Sequence, residues 1–578
     1  MNNSQLHAFS RSPIDIDIKR STFSRRAERL TSFDAGKLIP LYVSEILPGD
    51  TVKMNVDFLC RSLTPLTPVM DRAFIDIHFY FVPNRLVWNH WKEFMGENTS
   101  SPWVSETSYE VPTLQSHDDS YVGGYGFHIG SVADYMGLPV GIRGIKVNFL
   151  PFRGYALIWN EWYRDENLQS PVNIPLSDYN GISVNHGLVD DEGYRYSDFV
   201  ASGYVQYGAY GAAPLPVAKF HDYFTSALPS PQKSAEPVSV PLVGYAPVIS
   251  NPYVKEGDSS SDVSLFRPQF WWDKDGVVNN MPTAITSLYN AGGLLAQGNV
   301  GQNSSNLGSI LPKLSLVADL PAASAVTINA LLNAFSLQRW FERAARGGSR
   351  YIETIRAHFG VNPPDYMLAR PEFLGGKRIQ LSMSQVNQTS QTEGVNALGS
   401  TGAYSKTFDN AYYFTKSFVE HGFLFGMVMV RAEHSYSQGI NKMWSRKSMT
   451  DYYWVEFAHL SEQPIYNREI YAQGTDTDNE VFGYQEAYAE YRYDPKICSG
   501  LMRPSLGSAG LGIWNYGDVY TALPTLSPSW IVEPQSNIAR TLAVQGEQAS
   551  QFYGDFVFDA VYTRPMPLYS IPGLLDYN

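Results

Sequence analysis

Cysteine is almost absent from this sequence, since Cys60 and Cys498 are the only thiols in 578 residues. Two cysteines cannot build a zinc ribbon, which needs four cysteine ligands. A single disulfide between them stays open. So few cysteines in so long a chain are nevertheless typical of a reducing compartment in which both thiols are free.

Charge and long apolar runs are also scarce. Charged residues make up 17% of the chain, and its net charge is -13. Such a chain is not a general binder of polyanions, because its summed field repels phosphates. The longest apolar run, 423–430, is far shorter than the ~20 residues of a membrane helix, and residues 1–30 are too polar for a secretory signal.

Motifs of catalysis and metal binding are missing as well. The sequence contains no HExxH, GxSxG or Walker A motif and no correctly spaced GxGxxG, and its eleven histidines are scattered. Acidic residues at 273–276 and 476–480 lack the spacing of an EF-hand and are more typical of acidic turns. We therefore expect no cofactor, no metal and no enzymatic activity.

Aromatic and turn-forming residues are abundant instead. The chain has 38 tyrosines, 46 glycines and 36 prolines, and 44% of its residues are hydrophobic. That content is enough for a large core and excludes global disorder. Many turns, many aromatics and few charges favour a mainly β protein with extensive contact surfaces.

Alternation of apolar and polar residues predicts the strands. The clearest are 38–47 and 51–63 around the turn Pro48-Gly49, then 74–81, 412–419, 423–431, 452–457 and 552–562. Helical spacing of apolar residues appears at 84–96, at 150–164, and twice within 326–360. Strands at both ends of the chain with helices between them imply a sheet closed by distant segments, as in a β-sandwich or jelly roll.

Five stretches carry a family resemblance. They are MDRAFIDIHFYFVPNRLVWNHWKEFMGE (70–97), LPFRGYALIWNEWYRDENLQ (150–169), FGVNPPDYMLARPEFLGG (359–376), the segment 414–493 and GDFVFDAVYTRPMPLYSIPGLLDYN (554–578). Together they resemble the major capsid proteins of gokushoviruses, which belong to the Microviridae, small bacteriophages with single-stranded DNA. The matches follow the family's order along nearly the whole chain.

The resemblance implies a mainly β fold, an eight-stranded viral jelly roll with long helical and irregular insertions between strands. Its expected parts are an N-terminal arm (1–35), a first part of the jelly roll with short helices (36–165), insertion loops (166–325), a helical hairpin (326–360), and the second part of the jelly roll with the C-terminal segment (361–578). Within the insertion, about 230–320 is expected to form a protrusion at the threefold axes.

The same resemblance implies a structural role in the virion. About 60 copies would form a T=1 icosahedral shell around circular single-stranded DNA, assembled in the bacterial host cytoplasm. The implied partners are a small basic DNA-binding or packaging protein, an internal scaffolding protein, a minor or pilot protein, and a host surface receptor contacted by the protrusions.

Basic residues are the candidate contacts to the genome or to neighbouring subunits. They lie in the arm, in the helical hairpin and around Trp444: Arg25, Arg26, Arg29, Arg339, Arg343, Arg346, Arg350, Lys442, Arg446 and Lys447. Arginine beside tryptophan and tyrosine can bind phosphate and stack on bases. Salt bridging or a solvated helix face is the structural alternative for the same residues.

Two other functions stay open. Glu161 and Asp165 lie one helical turn apart beside Trp159 and Trp162, and a pair of carboxylates near aromatics is typical of glycosidases. The first alternative is thus a β-sandwich carbohydrate-active enzyme. The second is a monomeric carbohydrate-binding protein that uses the tyrosine-rich loops.

Overall fold

The structure is a computed structural model. It describes residues 19–97, 109–116, 126–178, 211–234, 350–360, 364–387, 389, 399, 401–458, 460–544 and 549–569. Between 235 and 349 it describes the strands Val248–Ser250, Thr286–Asn290, Gly293–Gln297 and Leu316–Ala318 and the helix Ile328–Gly347. The chain divides into two compact units, Met1–Lys233 with Glu342–Asn578, and Ser234–Phe341. The predicted protrusion lies almost wholly in the second unit.

Two four-stranded antiparallel sheets form the centre of the larger unit. The eight strands are β1 Ser21–Phe33, β2 Ile39–Ile46, β3 Thr51–Ser62, β4 Ala73–Pro83, β5 Glu372–Gln380, β6 Thr407–Ser417, β7 Gly422–Ala432 and β8 Phe552–Arg564. The first sheet has the order β1-β8-β3-β6, and the second has the order β5-β4-β7-β2. The mainly β class is therefore confirmed.

A shared apolar core lies between the two sheets. In β3, Val52, Met54 and Val56 are buried, whereas Lys53 and Asp57 are exposed, so the predicted alternation places one face inward. Aromatic pairs join the sheets: the rings of Phe79 in β4 and Phe558 in β8 are 6.2 Å apart, edge to face. The hydroxyls of Tyr42 and Tyr562 lie 2.7 Å apart in the same layer.

A second core covers the other face of the second sheet, which explains why β7 is apolar on both faces from Phe423 to Val430. Helix α1, Leu150–Ile158, packs there, with Gly154 against the ring of Phe425. A Cβ at Gly154 would lie 2.9 Å from that ring, so the helix approaches the sheet closely only because this residue is glycine. The Tyr155 hydroxyl donates to the Leu38 carbonyl at 2.9 Å.

Residues 21–33 differ from the predicted arm, because they form β1 and pair along their whole length with β8. The prediction of surface loops across 166–325 also fails for part of that range. Val172, Leu215 and Val217 are buried in the second core, and Tyr223 and Phe224 belong to a third core with Tyr436 and Ile465. These two segments of the insertion are part of the larger unit.

The predicted strand 452–457 does not form. This segment comes directly after the 3₁₀ turn Met449–Asp451 and contains the 3₁₀ turn Val455–Phe457. The predicted helix 84–96 is two shorter pieces, Asn84–Leu86 and Trp91–Phe94. The predicted helical hairpin contains the helices Ile328–Gly347 and Tyr351–Phe359. Cys60 and Cys498 are both buried and free, which answers the question of a disulfide.

The remaining elements are short. Three strand pairs are Thr113–Gln115 with Lys146–Asn148, Met383–Asn387 with Thr401–Ser405, and Gln463–Tyr466 with Val481–Gln485. Short α-helices are Val132–Tyr135, Asn467–Ile470 and Gln535–Ala539. Single turns are Trp159–Tyr163, Asp365–Leu368, Lys442–Ser445, Asp476–Asn479, Ala489–Tyr491, Gly500–Met502, Pro504–Ala509 and Gly512–Trp514. In the part of the chain described, no helix combines the length and hydrophobicity of a membrane span.

Candidate assembly and genome-contact surfaces

Three of the predicted basic residues lie on β1, the edge strand of the first sheet. Arg26 is exposed and stands in register with Asp559 of β8. Arg25 is exposed too, but its guanidinium lies 5.1 Å from the centre of the Tyr562 ring. Arg29 is half-buried. An edge strand with charged side chains resists pairing with other sheets, so these arginines have a structural use besides any contact to DNA.

The predicted arginines of the helical hairpin separate into two groups. Arg339 and Arg343 are exposed. Arg346 pairs with Glu462, whose side chain is almost completely buried. Arg350 is the most enclosed, and only 15% of its side chain is exposed. Two of the four are therefore engaged in ion pairs within the chain.

Arg350 fixes the start of the second hairpin helix to the end of α1. Its guanidinium binds the Glu166 carboxylate at 2.6 Å and donates to the carbonyls of Asn160 and Arg164 at 3.0 and 2.9 Å. Residues Trp159–Tyr163 form one π-helical turn, a geometry that disturbs the usual ladder of carbonyl partners. Arg350 therefore satisfies backbone acceptors rather than facing a ligand.

The basic residues beside Trp444 are also partly neutralised. Arg446 binds Glu490 at 2.9 Å, and Lys442 lies 3.9 Å from the same carboxylate. The side chains of Arg446 and Glu490 are 8% and 7% exposed. Lys447 is exposed, and its backbone N–H donates to the Asp451 carboxylate. Of this group, Lys447 alone presents its charge openly to solvent.

Of the two carboxylates that suggested a glycosidase, Asp165 serves the local structure. Asp165 accepts hydrogen bonds from the backbone of Asn167 and Leu168 at 2.9 and 3.0 Å, which makes it the cap of a turn. Glu166 is bound to Arg350. Among the residues described, no group of three or more His, Cys, Asp or Glu side chains is arranged to hold a metal ion.

A buried charge cluster was not predicted from the sequence. His434 lies between two carboxylates, with Nδ1 2.9 Å from Asp518 and Nε2 2.9 Å from Glu533. Burial opposes the charge of the imidazole, but attraction by Glu533 and Asp518 prevails and raises the pKa of His434 to about 10. Lys219 lies 3.5 Å from Asp518, so the cluster also holds the segment 211–233.

His434 has carboxylate partners like those of a catalytic histidine, but a substrate could not reach it. The His434 side chain is 1% exposed, and both of its nitrogens are occupied by carboxylates. No nitrogen remains to take a proton from a nucleophile, as general-base catalysis requires. The arrangement stabilises the fold.

A concentrated apolar surface is the other feature that the sequence did not predict. Seven large apolar side chains are exposed within residues 443–455, a segment that we call the apolar knuckle. They are Met443, Trp444, Met449, Tyr452, Tyr453, Trp454 and Val455. Their spacing follows neither a strand nor a helix, so periodicity gave no signal of a surface patch.

Comparison with known proteins decides the class of the protein. The family model described as "Capsid protein (F protein)" matches residues 12–574. The chain belongs to this capsid protein family. It is 38% identical to capsid protein VP1 of Chlamydia phage 1, over 96% of each chain. It is 36% identical to capsid protein VP1 of Bdellovibrio phage phiMH2K, over 98% of this chain and 97% of the relative.

A third relative extends the same similarity. Capsid protein VP1 of Spiroplasma virus 4 is 36% identical over 99% of this chain and 98% of its own length. The resemblance to the gokushovirus type of microvirus capsid protein is thus confirmed over the whole chain. This capsid protein is a structural component of a phage virion, and the carbohydrate-directed alternatives are not favoured.

Proposed function

We propose that this capsid protein assembles as ~60 copies into a T=1 icosahedral shell that encloses circular single-stranded DNA. Membership of the capsid protein family is the observation that carries the proposal. Closed symmetry supports it physically, because one repeated set of contacts is then enough to build a container. The protein acts as a building block rather than as an enzyme.

The proposed core of each subunit is the eight-stranded viral jelly roll. Strand pairing supports this, because the first strand lies beside the eighth, the second beside the seventh, the third beside the sixth and the fourth beside the fifth. Such nested antiparallel pairing across two sheets is what a long hairpin gives when it is rolled up into a jelly roll.

Genome contact in this proposal is made by the predicted cations that are exposed and are not held in the ion pairs described above. These are Arg25, Arg26, Arg339, Arg343 and Lys447. The chain's net charge of -13 already includes these five cations, so the protein as a whole adds negative charge and most of the phosphate charge needs another cation. We therefore retain a small basic packaging protein as a partner, together with a scaffolding protein and a pilot protein that direct assembly.

Purified chain, alone and with the other phage proteins, tests the shell. We expect light scattering after size-exclusion chromatography to give a particle ~60 times heavier than the chain, and electron micrographs to show uniform small spheres. Nuclease treatment should leave protected single-stranded DNA, and ultraviolet cross-links to it should map to peptides with the exposed cations. A monomer that persists with all partners present would refute the shell.

Host attachment is assigned in this proposal to the unit Ser234–Phe341. A unit compact in itself can vary without disturbing the sheets, and variable surface segments commonly carry recognition. We expect that replacing 235–326 by a flexible linker leaves shells intact but lowers host adsorption at least tenfold. A linker variant that adsorbs as fast as the parent virion would remove the attachment role and leave the shell untouched.

A further inference from the structure

The apolar knuckle uncovers enough surface for a protein interface. Its seven large side chains range from 44% exposed at Trp454 to 75% exposed at Trp444 and Val455. With ~150–250 Å² for each large side chain, the uncovered area is on the order of 800 Å². One partner in a standard interface contributes about that area.

Hydrogen bonds hold the apolar knuckle in one conformation. The indole N–H of Trp454 donates to the carbonyl of Met449 at 2.9 Å. The Asp451 carboxylate accepts from the backbone of Lys447 and Ser448, each at 2.8 Å. A surface that is already ordered loses little conformational entropy when a partner covers it.

The charges beneath the apolar knuckle argue for a protein partner rather than DNA. Arg446 is bound to Glu490 at 2.9 Å and lies 4.4 Å from the centre of the Tyr491 ring. Lys442 lies near the same carboxylate. A phosphate would have to displace Glu490 from both cations. Lys447 and Asp451 of this segment are exposed as well, but its large exposed side chains are four aromatic residues, two methionines and one valine. Aromatic residues and methionine are typical of interface cores.

We propose that the apolar knuckle is a contact between subunits, and that its partner is a second copy of this chain. The inference rests on the proposed shell, in which the other copies are the most abundant surface available. An apolar area of this size, left uncovered in the single chain, is then buried once per contact in the closed particle. The segment 443–455 is therefore an assembly determinant.

A pair of matched substitutions tests the proposal in the full chain. Val455 is 75% exposed inside the patch, and Val419 is 89% exposed outside it. We expect Val455→Glu to lower the fraction of chain in shells at least tenfold, because a buried unpaired carboxylate weakens the contact, while Val419→Glu keeps the parent yield. Both monomers should unfold at the parent urea midpoint, since both sites are exposed.

A photoreactive amino acid in place of Trp444 identifies the occupant. Irradiated shells should yield an adduct of two chains. An adduct to DNA or to another phage protein instead, or equal shell yields for Val455→Glu and the parent, would overturn this inference while parent shells still form. Equal losses from both glutamate substitutions would also overturn it. Absence of parent shells together with absence of adducts would overturn both this inference and the proposed shell.

Discussion

Replacing His434 by leucine should lower the free energy of unfolding by about 3–5 kcal/mol at neutral pH. The substitution leaves Asp518 and Glu533, with side chains 4% and 0% exposed, without the cation between them. Urea unfolding followed by tryptophan fluorescence measures the change. His90→Leu is the matched control, because its pair with Asp178 is well exposed and such pairs contribute about 0–1 kcal/mol.

The effect of His434 should depend on pH in one direction. The pKa of His434 is raised to about 10 in the folded protein, above its ordinary value of 6.5. The stabilisation is therefore complete below pH 6.5 and is lost as the pH rises towards 10. The difference between parent and His434→Leu should shrink over that window, and a difference that stays constant from pH 6 to 10 would contradict the charged state.

Replacing Phe558 by alanine should cost about 3–5 kcal/mol, because the ring fills the layer between the two sheets. Phe558 is fully buried, 5.0 Å from the ring of Tyr42 and 6.2 Å from that of Phe79. Phe408→Ala is the control, since Phe408 belongs to the first sheet but is 73% exposed, and it should change stability by less than about 0.5 kcal/mol.

Phe558→Ala and Phe408→Ala can be compared by shell yield as well as by urea midpoint. If the two sheets did not pack through Phe558, both alanine variants would have similar urea midpoints. A normal midpoint for Phe558→Ala would therefore exclude the shared core as a source of stability. Loss of shells by Phe408→Ala alone would instead mark the exposed end of β6 as a contact surface.

The sequence predicts the strands whose apolar residues face one core. β3 alternates cleanly, and β7 is apolar from Phe423 to Val430 because both of its faces are covered there. The sequence did not predict β1, because Arg25 and Arg29 stand on its less exposed face, where a strand pattern has apolar residues. The guanidinium of Arg25 lies against the Tyr562 ring. In β6 a bulge between Tyr412 and Phe414 switches the face, so the predicted segment began five residues late.

Patterns along the sequence do not predict contacts between residues that are far apart in the chain. His434 meets Asp518 and Glu533 across 84 and 99 positions, and nothing near any of them indicates the partner. The aromatic run at 452–457 has strong β propensity, yet it lies on the surface and forms a 3₁₀ turn. Local propensity could not separate an interior strand from an exposed patch of the same composition.

The place of β8 in the first sheet has a consequence for the timing of synthesis. β1 has β8 as its neighbour in the sheet, and Thr22 meets Thr563 across 541 positions. At ~5–20 residues per second, a ribosome needs roughly half a minute to two minutes to make the intervening chain. Until then neither β1 nor β3 has its eighth-strand neighbour. A chain that stops before β8 therefore cannot form the completed first sheet, whatever its length up to that point.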